Sequence, residues 1–431
     1  MPPSTVVVMR KIEMSLLMRE NMKTRRGFLR VGACAAGAAV AGCVSRSYVG
    51  ETCPEWKPGE FDIHFIHTGV GEQTFFIFPD GTTMLLDCGD THHAKYMKDV
   101  PPMPDHSRYG GEWVSRYIQR LIPQREIDYV MASHWHGDHV GDLMFGGKRT
   151  ADGRVVCGIP LVGEDFRFRH YIDRQYPKMA EGSLDPDRQA LSLMREWLPR
   201  ACAGGMQAHR FEVGALNQIR PLRNPKAAGD FEVRNIAANA VIWDGKNGVI
   251  DLGKAHQAQT KGKRIHENRL SAVMRFRYGR FSYYTGGDVE LSLTGADGKE
   301  FNYEAVVGRI VGPVSVCKTN HHAGSFAMSS DFVKEIRAKT YLSSVWQAKM
   351  VDHKSLSTMC SRELYPGERI VCFGYVADSV RNVAAAYGDD IPPAQGHTVV
   401  KVAPGGDTYR VFVVNASDES MRVLYSRKFD S

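Results

Sequence analysis

Residues 133–142 read "SHWHGDHVGD", which places His134, His136, Asp138 and His139 within six positions. Imidazole and carboxylate together favour zinc, with manganese or iron as alternatives. The spacing suggests how they would act. In an extended segment His134 and His136 project to the same side, so both reach one ion, whereas a helix would turn position 136 away. Gly137 permits the dihedrals of a sharp turn, which swings Asp138 and His139 toward a second ion. Two divalent ions about 3.5–4 Å apart activate water between them and clamp a developing oxyanion. The chemistry implied is hydrolysis.

These residues need rigid elements to hold them. "IDYVMAS" (127–133) reads as a buried strand that delivers the chain into the cluster. Alternation and β-branched or aromatic content predict further strands over 62–67, 74–78 and 83–87. "EWVSRYIQRLI" spaces Trp113, Tyr117, Ile118, Leu121 and Ile122 along one helical face. Later strands are expected in "FEVRNIAANAVIW", in the hairpin "LSAVMRFRYGRFSYYTGGD", in "PVSVCKTN" and over 340–345. A helix is expected over 329–337, and "GHTVVKVAPGGDTYRVFVV" reads as a closing hairpin. Between 146 and 229 periodicity is poor and Gly, Pro and Arg are frequent, which predicts an insertion or lid with one or two helices. Its Arg-rich "RFRHYIDRQYP" reads as a solvated face.

"HWHGDH" matches an HxHxDH pattern, and the chain resembles the metallo-β-lactamase fold superfamily. The lead-in "FDIHFIHTGVGEQTFFIFPDGTTMLLDCGD" resembles that superfamily's first strands and their Asp-x-Gly turn at 87–89. The likeness is nearest to the branch of DNA-uptake hydrolase domains and phosphorylcholine esterases. It implies a four-layer αββα sandwich over 61–431 with a dinuclear zinc site. It also implies that Asp288, ending "YYTGGD", bridges the ions, and that His353 in "DHKSLST" is the last metal ligand. "KTNHHAGS" resembles the branch's His-His-Gly-Ser signature with Ala323 inserted. One of His321 and His322 would serve the substrate's oxyanion or leaving group, and the other would support it or bind metal. Asp138 would orient the attacking water.

Many relatives carry a further His between the cluster and the bridging Asp. No residue here has its context, which leaves His209, Asn239 or water for the middle position. Asp87 is expected to orient a ligand from outside the metal shell. His64 and His67 are expected to be structural, and His92 and His93 solvated. Asn268 and Ser271 resemble branch positions without an assigned role.

Composition narrows the function classes. Of 431 residues, 43% are hydrophobic and 24% charged, with a formal charge of +7. Residues 1–42 carry +5 of it, so the rest of the chain is near neutral and nucleic acid is an unlikely partner. The nine cysteines include Cys34 and Cys43 and show no CxxC spacing, which argues against a disulfide framework. "KTRRGFLRVGACAAGAAVAGCVS" (23–45) joins a basic region holding Arg25 and Arg26 to an Ala/Gly-rich run too short to span a bilayer. It resembles a twin-arginine export signal, and "VAGC" a lipoprotein cleavage box. The expected organisation is a signal over 1–43, a linker over 44–60 and the hydrolase domain. Cys43, lipidated, would anchor an exported periplasmic or cell-surface protein, and Met22 is an alternative start. The expected activity is metal-dependent hydrolysis of a small-molecule or cell-envelope phosphodiester or phosphoester. A lactam or lactone hydrolase, a nuclease and a non-catalytic binding protein are the rivals.

Overall fold

The computed structural model describes residues 47–91, 100–347, 350–376 and 378–431. The leader with Arg25, Arg26 and Cys43, and the pair His92 and His93, lie outside them. In chain order the main strands are β1 (Phe61–Phe65), β2 (Thr74–Ile77), β3 (Thr83–Leu86), β4 (Glu126–Ala132), β5 (Arg167–Asp173) and β6 (Gln207–Arg210). There follow β7 (Glu232–Ala238), β8 (Val241–Trp243), β9 (Val249–Asp251), β10 (Val273–Tyr278) and β11 (Phe281–Thr285). The chain closes with β12 (Val316–Lys318), β13 (Thr340–Ser343), β14 (Ile370–Phe373), β15 (His397–Val402), β16 (Thr408–Val414) and β17 (Val423–Asp430).

They form two mixed sheets. A nine-stranded sheet runs β17-β16-β15-β1-β2-β3-β4-β5-β6, and an eight-stranded sheet runs β9-β8-β7-β10-β11-β12-β13-β14. A core of Phe61, Phe76, Met131, Phe276, Tyr283 and Val400 fills the space between them. The outer face of the first sheet is covered by α1 (Gly110–Leu121), α2 (Gly158–Asp165) and α3 (Arg188–Ala203), through residues such as Ile118, Val162 and Met194. After α4 (Leu252–Gln259), the outer face of the second sheet is covered by α5 (Tyr303–Val311), α6 (Ser330–Ile336), α7 (His353–Cys360) and α8 (Asp378–Ala385), with Val307, Phe332, Leu356 and Val380 turned inward. The layers are therefore helix, sheet, sheet, helix, the αββα sandwich expected.

One feature of the pairing decides where chemistry can sit. Strands β3, β4, β5 and β6 are mutually parallel, and so are β11, β12, β13 and β14. Parallel neighbours end at the same edge, so the loops that follow them converge, and polar side chains on those loops can meet.

Three expectations change. The stretch 146–229 contains two helices, but it also supplies β5 and β6, which extend the first sheet in parallel. Its Arg-rich segment is β5, where Arg167 and Arg169 face solvent while Phe168, Tyr171 and Ile172 are buried. The run "FEVRNIAANAVIW" is two strands, because Asn239 and Ala240 both take left-handed backbone (φ 56 and 55) and turn the chain back on itself. The C-terminal hairpin gains a third strand, β17.

Candidate metal centre

Six residues just beyond the carboxyl ends of the parallel strands build the centre, all of them buried except the half-buried His136. β4 is buried from Ile127 onward and ends beside Ser133 and His134. His134 and His136 project together, as extended backbone requires, with Nε2 of the first 3.2 Å from Nδ1 of the second. Gly137 then opens a single helical turn, Gly137–Val140, instead of a left-handed bend. Glycine is needed there for space, since a Cβ would lie 2.4 Å from that of Asp142. The turn carries Asp138 and His139 toward Asp288, which follows β11, and His322, which follows β12.

Ligand atoms of Asp138, His139, Asp288 and His322 all lie within 4.8 Å of one another. His139 Nε2 is 3.3 Å from Asp288 Oδ1 and 3.6 Å from Asp138 Oδ2. His322 Nε2 is 3.0 Å from Asp138 Oδ2 and 3.3 Å from Asp288 Oδ2. Ligands bonded at about 2.0–2.1 Å in a tetrahedron stand about 3.3–3.4 Å apart, so these separations suit one cation. Asp288 also faces the other pair, its Oδ2 being 3.9 Å from His134 Nε2. It therefore stands where a bridging carboxylate would. His139 Nε2 and Asp288 Oδ1 are buried without any hydrogen-bond partner. Buried polar atoms are rarely left so, and a cation between them would satisfy both.

The outer nitrogens explain the orientation of the rings. Ser133 Oγ donates to Asp87 (2.7 Å), so it can only accept from His134 Nδ1 at 3.0 Å. His136 Nε2 donates to the Asp185 carbonyl (3.2 Å) and His139 Nδ1 to Asp87 Oδ2 (2.9 Å). His322 Nδ1 faces Glu72 Oε2 at 3.2 Å. Each acceptor can take a proton but offers none to the ring, which leaves the inner nitrogen of all four imidazoles as a lone-pair donor to metal. Asp87 thus holds the outer nitrogen of His139, and with Glu72 and His139 it forms a second buried group whose ligand atoms lie within 4.8 Å of one another. Glu267, paired in two-pronged fashion with the fully buried Arg174, accepts the Trp135 N–H at 2.9 Å and fixes the backbone between His134 and His136.

Electrostatics without metal follow from this crowding. Burial opposes ionisation of Asp138, but His139 and His322 outweigh it and bring its pKa down to about 2. Burial likewise opposes charge on Asp288, and His322, His139 and Lys318 hold it well below the usual carboxylate range. Burial favours neutral His139 and His322, yet Asp288 and Asp138 push both well above ordinary imidazole values. His134 moves the other way, lowered chiefly by burial. An incoming cation would replace protons on His139 and His322.

Sequence reasoning missed two contributors. Glu72 holds His322, as above. Lys318, wholly buried at the end of β12, donates to the Gly287 carbonyl (2.6 Å) and lies 3.1 Å from Glu72 Oε1 and 3.5 Å from Asp288 Oδ1. A charge ending an otherwise apolar parallel strand, "PVSVCKTN", was the available signal, because such strands are buried on both faces.

The His-His pair divides. His321, His322 and Ala323 are consecutive left-handed residues (φ 43, 52 and 57), a conformation uncommon without glycine. It sends His322 into the cluster and leaves His321, with a side chain 29% exposed, 3.3 Å from both Asn268 Nδ2 and Glu290 Oε1. His322 takes the place expected for His353. His353 is exposed as the first residue of α7, where Asp352 caps the helix, and it belongs to no ligand cluster among the described residues. Neither candidate for the middle position reaches the site. His209 lies on the edge strand β6 against His170, and Asn239 is committed to Arg174 and Gln175. His64 bonds Tyr117, and the His67 backbone bonds His397, both away from the centre. Ser271 Oγ accepts the Asp288 N–H at 3.1 Å, and Asn268 donates to Glu290.

The first half of this machinery carries a family signature. Residues 67–160 match the model of the metallo-beta-lactamase superfamily. The matched stretch holds Glu72, Asp87 and the His134–His139 cluster; Asp288, Lys318 and His322 lie beyond it. Lactamase-like protein nscB of Arthroderma otae is 28% identical over 102 residues, covering 22% of this chain and 29% of that protein. The alignment thus spans less than a third of that relative. Igni18, a metallo hydrolase of the archaeon Ignicoccus hospitalis, aligns over 79% of this chain and 98% of its own, at 10% identity and a TM-score of 0.35. The residues present fit the divalent metal chemistry of the metallo-beta-lactamase superfamily.

Proposed function

We propose that the protein is a metal-dependent hydrolase with two zinc positions that cleaves phosphodiesters or related phosphoesters. The observation that carries this reading is the set of four imidazoles, each facing an oxygen at its outer nitrogen, with the inner nitrogens of His134, His139 and His322 turned to Asp138 and Asp288 and that of His136 to His134. Ions held there would supply Lewis acidity toward phosphoryl oxygens and lower the pKa of a coordinated water. Asp138 is the more open of the two inner carboxylates, 11% exposed against 2% for Asp288, and orients the attacking water. His321, half-open beside Asn268, stabilises the developing charge or passes a proton from a ring nitrogen to the leaving oxygen. The two-imidazole position beside Asp288, with neither His209 nor Asn239 near it, argues against a lactam hydrolase with a complete three-histidine site. Export and attachment through Cys43 rest on the leader alone and would direct the enzyme to esters of the cell envelope.

The test is a comparison of turnover on bis(p-nitrophenyl) phosphate, a chromogenic β-lactam and single-stranded DNA, beside an Asp138→Ala control. Phosphodiester turnover that is lost in Asp138→Ala supports the proposal. Faster lactam turnover would reverse the order of substrates, and metal binding without any turnover would make this a binding protein.

A further inference from the structure

One cavity lies away from the centre. It has a volume of about 580 Å³ and is lined by residues that include Tyr129, His170, His209, Glu212 and Arg220. Every lining residue comes from β4, β5, β6 or the segment that follows β6; none comes from the eight-stranded sheet. In the parallel register of β5 and β6, His209 stands opposite Ile172, and Ile172 shares its face with His170 two residues earlier. Ile172 belongs to the core between the sheets. The two histidines therefore point to the inner side of the sandwich at its open edge, where no opposing strand covers them.

We propose that His170 and His209 form a second, independent site for a borderline transition-metal cation such as Zn²⁺, Ni²⁺ or Cu²⁺. Their facing nitrogens, His170 Nδ1 and His209 Nε2, are 3.4 Å apart. Two imidazoles bonded to one ion at about 2.0–2.1 Å in a tetrahedron stand about 3.3–3.4 Å apart. A hydrogen bond between two imidazole nitrogens is expected nearer 2.9–3.0 Å, so this separation suits a shared cation better. Among the described residues no carboxylate stands close enough to both rings to form a three-residue ligand group with them, so water and small anions complete the shell. Arg220, also on the wall, favours an anionic co-ligand over a bare second cation. An ion here would tie the four-residue edge strand β6 to β5.

The test is equilibrium dialysis of the folded full-length protein against Zn²⁺, for the wild type, His170→Ala, His209→Ala and the double variant, with His209→Gln as a gentler change. The wild type should retain one equivalent more than any variant. The double variant should lose no more than either single one, because both rings hold the same ion. Cu²⁺ in place of Zn²⁺ should give a two-nitrogen electron paramagnetic resonance signature that both substitutions abolish, while activity at the Asp138 centre is unchanged. Equal stoichiometry in all five proteins would overturn the proposal. So would loss of the extra equivalent only on Asp138→Ala, or phosphate binding that the same substitutions remove with no metal lost.

Discussion

Lys318 offers the sharpest energetic test of the centre. Its ammonium is buried against two carboxylates, Glu72 at 3.1 Å and Asp288 at 3.5 Å. Burial works against the charge, and those two carboxylates more than offset it, so the group stays protonated with its pKa raised. Lys318→Met keeps the length of the side chain and removes the charge. Unit charges at these separations attract by about 5 kcal/mol at an effective dielectric constant near 20. Removing one partner of a buried pair typically costs about 3–5 kcal/mol, because the other is left uncompensated. We expect a loss of roughly that size in urea unfolding followed by tryptophan fluorescence in the presence of chelator, a large share of a typical domain's stability. With saturating Zn²⁺ the loss should be clearly smaller, since a bound cation compensates Asp288 and no longer competes with the ammonium. A variant within about 1 kcal/mol of wild type in chelator would refute this reasoning. An equal loss with and without zinc would refute its link to metal.

Other expected outcomes follow from the same contacts. Asp87→Asn keeps the shape but weakens the hold on Ser133 and His139, and should lower zinc affinity about 10–100-fold in a competition titration; unchanged affinity would contradict the orienting role. Glu267→Ala strips the fully buried Arg174 guanidinium of its carboxylate, leaving it the Asn239 and Glu181 oxygens, and leaves the Trp135 N–H without its acceptor; it should destabilise the fold by about 3–5 kcal/mol in denaturant melts. His322→Ala should deplete bound metal while His353→Ala leaves it intact, as measured by elemental analysis of purified protein; the opposite pattern would restore His353 as a ligand.

The HxHxDH spacing points to four of the centre's six residues because the motif is local: four candidate ligands at one strand end need only the strand to be read correctly. Asp288 was legible through the family resemblance, which places a bridging carboxylate at the end of "YYTGGD". The choice between His322 and His353 was not. It depends on three successive left-handed residues, and the sequence offers Ala323 where glycine would have signalled them. Glu72 looks like an ordinary surface residue in one dimension, Lys318 is marked only as a charge ending an apolar strand, and the meeting of two sheets is what buries them together. The strands within 146–229 are hidden in the sequence for a related reason. In β5, arginines alternate with buried residues, and a search for continuous apolar runs passes over such a sheet-margin strand.

The central claim is that residues scattered along the chain cage a divalent cation, and anomalous diffraction at the zinc edge tests it most directly. For zinc-soaked crystals of the full-length protein, the account predicts a strong peak coordinated by Asp138, His139, Asp288 and His322, with any second peak beside His134 and His136. A zinc-saturated crystal with no peak among those four residues would contradict it.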